Sequence, residues 1–261
     1  MKEDAMKKIL FAALLVLLAS TGLQAQVSTS TVAPTTDILS SQTNGGAQYL
    51  VDTARDPGQG QTFTLPNTIG LEAITVQIGT GGQNTQGTME DAAALSLNLY
   101  QVGPGSPLAF ATPAILRFND PTAVPFDASN ANTTPLYLTF NLPSPERLDC
   151  NVTYAFTITS SSMTDRGFRI ERSTFDAFPQ GNGIFTGGNN VPTLRADDDA
   201  VFFLQGILLG DVTGDGAVDF FDIPVFLQLL INGGFSPGAD FDFNGVIDFR
   251  DIMPFINVLQ C

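Results

Sequence analysis

Two stretches in the last quarter of the chain carry residues whose types and spacing imply chemistry. The first runs Asp211-Val-Thr213-Gly-Asp215-Gly216-Ala217-Val-Asp219-Phe-Phe-Asp222. It recurs downstream as Asp240-Phe-Asp242-Phe-Asn244-Gly245-Val246-Ile-Asp248-Phe-Arg-Asp251. Each is a twelve-position loop with oxygen-bearing side chains at positions 1, 3, 5, 9 and 12 and a glycine at position 6. A hard cation such as Ca2+ takes six to eight oxygens, and a short loop with this spacing supplies them. The expected ligands in the first loop are Asp211, Thr213, Asp215, the backbone carbonyl of Ala217, Asp219 and Asp222. Those in the second are Asp240, Asp242, Asn244, the carbonyl of Val246, Asp248 and Asp251, so two ions are expected. Asp219 acts directly or through water.

The spacing is that of an EF-hand calcium loop. Gly216 and Gly245 permit a turn that a Cβ would hinder. Val218 and Ile247, at position 8, point into a core between the loops. A short helix is expected after each loop, over Ile223 to Ile231 and Ile252 to Leu259, with Pro224 and Pro254 in or near the first turns, where a missing N–H costs least. No helical pattern precedes either loop, and position 12 is Asp where the usual EF-hand has Glu.

The remainder of the chain must position this tail. Lys2, Lys7 and Lys8, the apolar run Ile9 to Ala19 and the small residue at Ala25 read as a secretory signal peptide over residues 1–25, too short to anchor in a bilayer. Export is therefore expected, to the extracellular space or cell surface, and no transmembrane segment is found. Cleavage would remove every lysine and leave a chain one unit more negative than the −15 of the whole. Such a field disfavours nucleic acid and anionic membranes and favours cations. Cys150 and Cys261 admit an intramolecular bridge, two separate thiols, or an intermolecular bond from Cys261.

From Gln26 to Thr43 the chain is rich in Ser, Thr and Ala and reads as a leader. Beyond it, Gln61 to Leu65, Ile74 to Ile78, Leu95 to Tyr100, Leu136 to Leu142, Tyr154 to Thr159 and Gly167 to Glu171 alternate with period two, and Ala200 to Leu209 is continuously apolar. Gly, Pro, Asn and Ser clusters separate them at Gly79 to Gly87, Gly103 to Pro107 and Gly181 to Asn190. Met89 to Ala94 is the one helical reading before residue 220. Many short strands without interleaved helices predict an all-β antiparallel sandwich over residues 26–209, followed by a small α-helical module over 210–261 with almost no linker.

The tail resembles the dockerin type I module, two loop–helix repeats with Asp at position 12. The pairs Asp211/Asp240, Gly216/Gly245, Asp219/Asp248, Phe220/Phe249, Asp222/Asp251, Ile223/Ile252, Phe226/Phe255 and Leu230/Leu259 carry the likeness, which covers residues 210–261 and is similar to the tails of secreted planctomycete proteins. It implies attachment to an extracellular scaffold through a cohesin-like module. Positions 10 and 11, commonly Ser/Thr in that family, are Phe220-Phe221 and Phe249-Arg250 here. These side chains are expected against the sandwich or another partner, a second copy included. Gln61-Thr-Phe-Thr-Leu65 and Thr153-Tyr-Ala-Phe-Thr157 look similar to strands of bacterial jelly-roll surface domains.

The absence of histidine removes Ser-His-Asp and Cys-His catalysis and nearly all zinc sites. Glu72, Glu90, Glu146 and Glu171 leave a small glycoside hydrolase open as a reading. The chain is also compatible with a carbohydrate-binding protein of polysaccharide breakdown, with a glycan as partner, and with a calcium-dependent filament or lattice subunit. Asp197-Asp198-Asp199 reads as a solvated acidic turn, or as part of a structural calcium site. Asn132 and Asn151 head N-glycosylation patterns. The sequence thus describes a secreted, calcium-binding, non-catalytic protein whose tail mediates attachment or assembly.

Overall fold

The computed structural model describes residues 26–42, 47–51, 58–78, 95–103, 116–119, 135–160, 168–186 and 192–261. The signal-peptide reading, Met89 to Ala94, Glu90 and Asn132 lie outside them. In chain order the strands are β1 (Gln26–Ser30), β2 (Leu39–Ser41), β3 (Ala47–Val51), β4 (Gln59–Thr64), β5 (Ile69–Ile78), β6 (Leu95–Gln101) and β7 (Leu116–Asn119). They continue as β8 (Leu136–Leu148), β9 (Thr153–Ser160), β10 (Phe168–Ser173), β11 (Gly183–Thr186), β12 (Pro192–Arg195), β13 (Asp199–Ala200) and β14 (Phe202–Leu208). Helices α1 (Asp222–Asn232) and α2 (Phe249–Val258) follow, with the 3-10 turn Pro237–Ala239 between them.

The strands form two antiparallel sheets. One has eight strands, centred on β5 between β8 and β14; the other has six, ordered β12-β11-β4-β9-β6-β7. Their inner faces meet in a core where Phe63 of β4 and Phe156 of β9 approach Phe202 of β14, with centroids 6.4 and 5.6 Å away. Period-two alternation produces this directly: Phe63, Ile74, Val76, Leu97, Leu99, Leu138, Phe140 and Phe156 are all buried.

Several sequence expectations change. In the described part of the Gln26 to Thr43 stretch the leader reading fails: β1 pairs with β8 and β2 with β14. Gly183–Thr186, expected as a turn, is a strand paired with β4 and β12. β8 continues past Leu142 through Pro143 and Pro145. Its pairing with β5 shifts register between Leu71 and Ala73, whose partners are Glu146 and Asn141. The prolines therefore sit in a bulge, where ladder donors are not required.

The Asp197 to Asp199 turn is not solvated as a whole. Asp197 is exposed, but Asp198 and Asp199 are buried. Asp198 pairs with Arg172 and Arg195. Asp199 Oδ1 accepts from Gln61 Nε2 at 2.7 Å and Oδ2 from the Phe178 N–H at 2.9 Å. Burial pushes the Asp199 carboxyl above its ordinary value, partly offset by these donors.

Candidate metal loops and the face of the tail

Hydrogen bonds repeat in step with the sequence. Position 1 accepts from the N–H of position 6: Asp211 Oδ2 from Gly216 at 2.9 Å, Asp240 Oδ2 from Gly245 at 2.8 Å. Position 5 accepts from position 7, Asp215 from Ala217 at 3.0 Å and Asn244 from Val246 at 2.8 Å. Position 12 spans each loop. Asp222 accepts from Val212 and Asp219, and Asp251 from Phe241 and Asp248. Position 9 turns toward the helix start, Asp219 accepting from Phe221 and Asp248 from Arg250. Gly216 and Gly245 take φ of 87° and 83°, the left-handed region expected for them.

The helices follow from these caps. Asp248 and Asp251 form a reciprocal capping box, so α2 begins at Phe249 rather than at Ile252. Pro254 consequently lies inside the helix and not in its first turn, leaving the Arg250 carbonyl without its i+4 donor. Pro224 is the third residue of α1, where its missing N–H is tolerated. Gly233, at φ 71°, ends α1 by donating to the Leu229 carbonyl at 2.9 Å. Between the helices Phe226 and Phe255 stack with centroids 4.1 Å apart, and Ile247 and Val218 join the same core from position 8.

The two loops differ in how far their carboxylates converge. Oxygens of Asp240, Asp242 and Asp251 lie within 4.8 Å of one another, the only such group of three acidic, His or Cys residues among the described residues. Burial raises the Asp251 carboxyl above its ordinary value. The N–H groups of Asp248 and Phe241 counter the rise, while the charges of Asp242 and Asp240 add to it. A cation there would relieve that repulsion. In the first loop Asp211 is half-buried, whereas Thr213, Asp215 and Ala217 are exposed. The oxygen-only donor sets of both loops suit a hard cation.

The tail is fixed to the sandwich. Cys150, just after β8, is bridged to Cys261, with Cα atoms 6.0 Å apart. At the junction Leu209, buried in the core of the tail, donates to the Thr68 carbonyl at 3.1 Å, while within the tail Gly210 donates to the Gly238 carbonyl at 2.8 Å. The Arg147 guanidinium lies over the Phe241 ring, 5.6 Å from its centroid. A Cβ on Gly70 would sit 2.7 Å from Phe243 Cζ, so that ring fills the space a side chain would occupy. Phe243 holds φ 54°, as Gly214 holds 77° at the same loop position. The strained backbone of the second loop is thus locked by packing. The bridge is one of the alternatives that the two cysteines left open in the sequence; the Phe241 and Phe243 contacts were missed by sequence reasoning, their one signal being the interleaving of these residues with Asp240 and Asp242.

Phe220, Phe221 and Phe249 do not pack on the sandwich, contrary to one expectation: they are 78, 77 and 82 % exposed. With Pro224, Leu227 and Ile231 on α1, and Met253 and Ile256 on α2, they give both helices an apolar outward side. Among the described residues no helix is long and apolar enough to cross a membrane. No family model, curated protein or solved structure matches this chain.

Proposed function

We propose that this is an exported, non-catalytic protein whose C-terminal tail binds two Ca2+ ions and attaches the sandwich to a partner outside the cell. The observation that carries this reading is the twice-repeated oxygen loop, each copy followed by a helix with an exposed apolar face. On this reading the tail is dockerin-like and the sandwich jelly-roll-like. Asp211, Thr213, Asp215, the Ala217 carbonyl, Asp219 and Asp222 hold one ion. Asp240, Asp242, Asn244, the Val246 carbonyl, Asp248 and Asp251 hold the other. Bound calcium supplies charge neutralisation, which lets eight loop aspartates stay close while the helices pack. The Cys150–Cys261 bridge supports an oxidising compartment. The non-catalytic reading is supported by the lack of histidine and by structural partners for Asp149, Asp198 and Asp199 in the sandwich.

Titration of Ca2+ into the EDTA-stripped mature chain, followed by calorimetry and far-UV circular dichroism, tests the reading. Two bound ions and a gain of helical signal are expected. No binding heat, with helicity and protease resistance unchanged by EDTA, overturns it.

A further inference from the structure

The outward side of α1 is an apolar stripe. Phe220, Pro224, Leu227 and Ile231 recur at the spacing that places them on one side of a helical screw, flanked by Phe221 and Gln228. All six are exposed, while Asp222, the only charged residue of α1, is buried. The corresponding side of α2 carries Arg250, paired with Asp242 at 4.0 Å, and Gln260 in place of Ile231. A stripe that is apolar from end to end and has no charge at its flank is therefore particular to α1.

We propose that the α1 stripe is the contact between two copies of this chain, packed helix to helix in antiparallel sense about a two-fold axis. The proposal rests on the functional reading above, in that calcium orders the helix presenting the stripe. Three observations select a second copy as occupant. The first is charge. The loops bordering the stripe are acidic, so a partner chosen electrostatically would be basic, yet the stripe itself offers no charge to choose with. Two identical neutral stripes are compatible.

The second is geometry. Antiparallel packing sets Phe220 against Ile231 of the other copy and Pro224 against its Leu227, so the spacing is self-complementary. It also separates the two acidic first loops by the length of α1. Its 11 residues span about 16 Å at about 1.5 Å per residue, against a screening length of about 8 Å at physiological salt.

The third is area. Phe220, Phe221, Leu227 and Ile231 are exposed by 78, 77, 48 and 79 %. At roughly 200 Å² for a large side chain they offer about 560 Å² of apolar surface. A standard interface covers about 800 Å² per partner, roughly 60 % of it apolar, so the stripe matches the apolar content required.

Sedimentation velocity and light scattering of the mature, disulfide-intact chain across micromolar concentrations, in millimolar calcium, test the proposal. Wild type is expected to reach a dimer and go no further. Ile231→Glu should be monomeric with an unchanged helical signal, because the side chain lies outside the Phe226–Phe255 core. Phe220→Lys combined with Ile231→Glu should dimerise again, since antiparallel packing sets each lysine opposite the other copy's glutamate. A wild-type chain that binds calcium and stays monomeric, oligomers larger than a dimer, an Ile231→Glu dimer, or failure of the double variant to recover each overturn the proposal. Absence of calcium binding by calorimetry overturns the functional reading instead, which keeps the two failures apart.

Discussion

The bond between Cys150 and Cys261 is the most consequential tie to remove. It joins residues 111 positions apart, so breaking it frees a large loop in the unfolded chain. The chain-entropy relation assigns a loop of that size about 4.8 kcal/mol at 25 °C. For a chain of this length that corresponds to roughly 10–20 °C in melting midpoint. The loss should fall on the tail first, because the remaining ties are a few local contacts: the Leu209–Thr68 bond, the Arg147–Phe241 stack and the Phe243–Gly70 fit. Two optical signals separate the modules. All four tyrosines precede residue 210, so near-ultraviolet dichroism reports the sandwich. Both described helices lie after residue 210, so ellipticity at helical wavelengths reports the tail. Wild type in calcium should lose both signals together. The Cys150→Ser/Cys261→Ser variant should lose the helical signal earlier and melt lower. Coincident transitions in that variant, with a midpoint within a degree or two of wild type, would refute the claim that the bridge docks the tail.

Phe226→Ala removes half of the Phe226–Phe255 stack and should cost about 3–5 kcal/mol, read as loss of the tail's helical signal at lower denaturant with the tyrosine signal retained. Gly70→Val forces a side chain into the Phe243 ring and should destabilise by about 1–3 kcal/mol; Phe243→Ala in the same chain should recover part of that, measured by a double-mutant cycle. Asp251→Asn should weaken calcium binding at least tenfold by calorimetry, and a variant binding both ions with wild-type affinity would remove Asp251 from the site. The Asp199 carboxyl is raised by burial, so its contribution to stability is fully present below the unfolded value near 3.8 and is lost as pH rises through the higher folded value. Comparing the pH dependence of melting for wild type and Asp199→Asn without calcium should show that loss in wild type alone.

What could be read from sequence was what depends on neighbours along the chain. Each acidic loop closes on itself through hydrogen bonds among twelve consecutive residues, so the shared turn of Asp211 to Asp222 and Asp240 to Asp251 was legible in their spacing. The inner strands were legible for the same reason, since Phe63, Leu97, Leu99 and Phe156 alternate along single runs. What escaped depends on distant residues. Pro143 and Pro145 look like strand breakers until β5 shows the bulge that holds them. Gln26 to Ser30 has only Val27 as a buried aliphatic residue, and becomes a strand because β8 offers an edge. Asp198 looks solvated until Arg172 and Arg195 reach it, and Asp199 until Gln61 does. The start of α2 was missed for a local reason: the capping box pulls it forward to Phe249.

The bridge also determines how the molecule would carry a mechanical load. A tail joined to its domain at one end can be peeled away bond by bond, and a pull on its helices would be borne by the Leu209–Gly210 peptide alone. Here the tail is held at Gly210 and again at Cys261, with the second hold entering the sandwich just after β8, a strand paired on both sides by β1 and β5. Force applied to the exposed helical faces therefore divides between two covalent routes and reaches the interior of the larger sheet. The tail behaves as a bracket fixed by two bolts, and tension along it must shear the sheet's ladders before it can detach the tail.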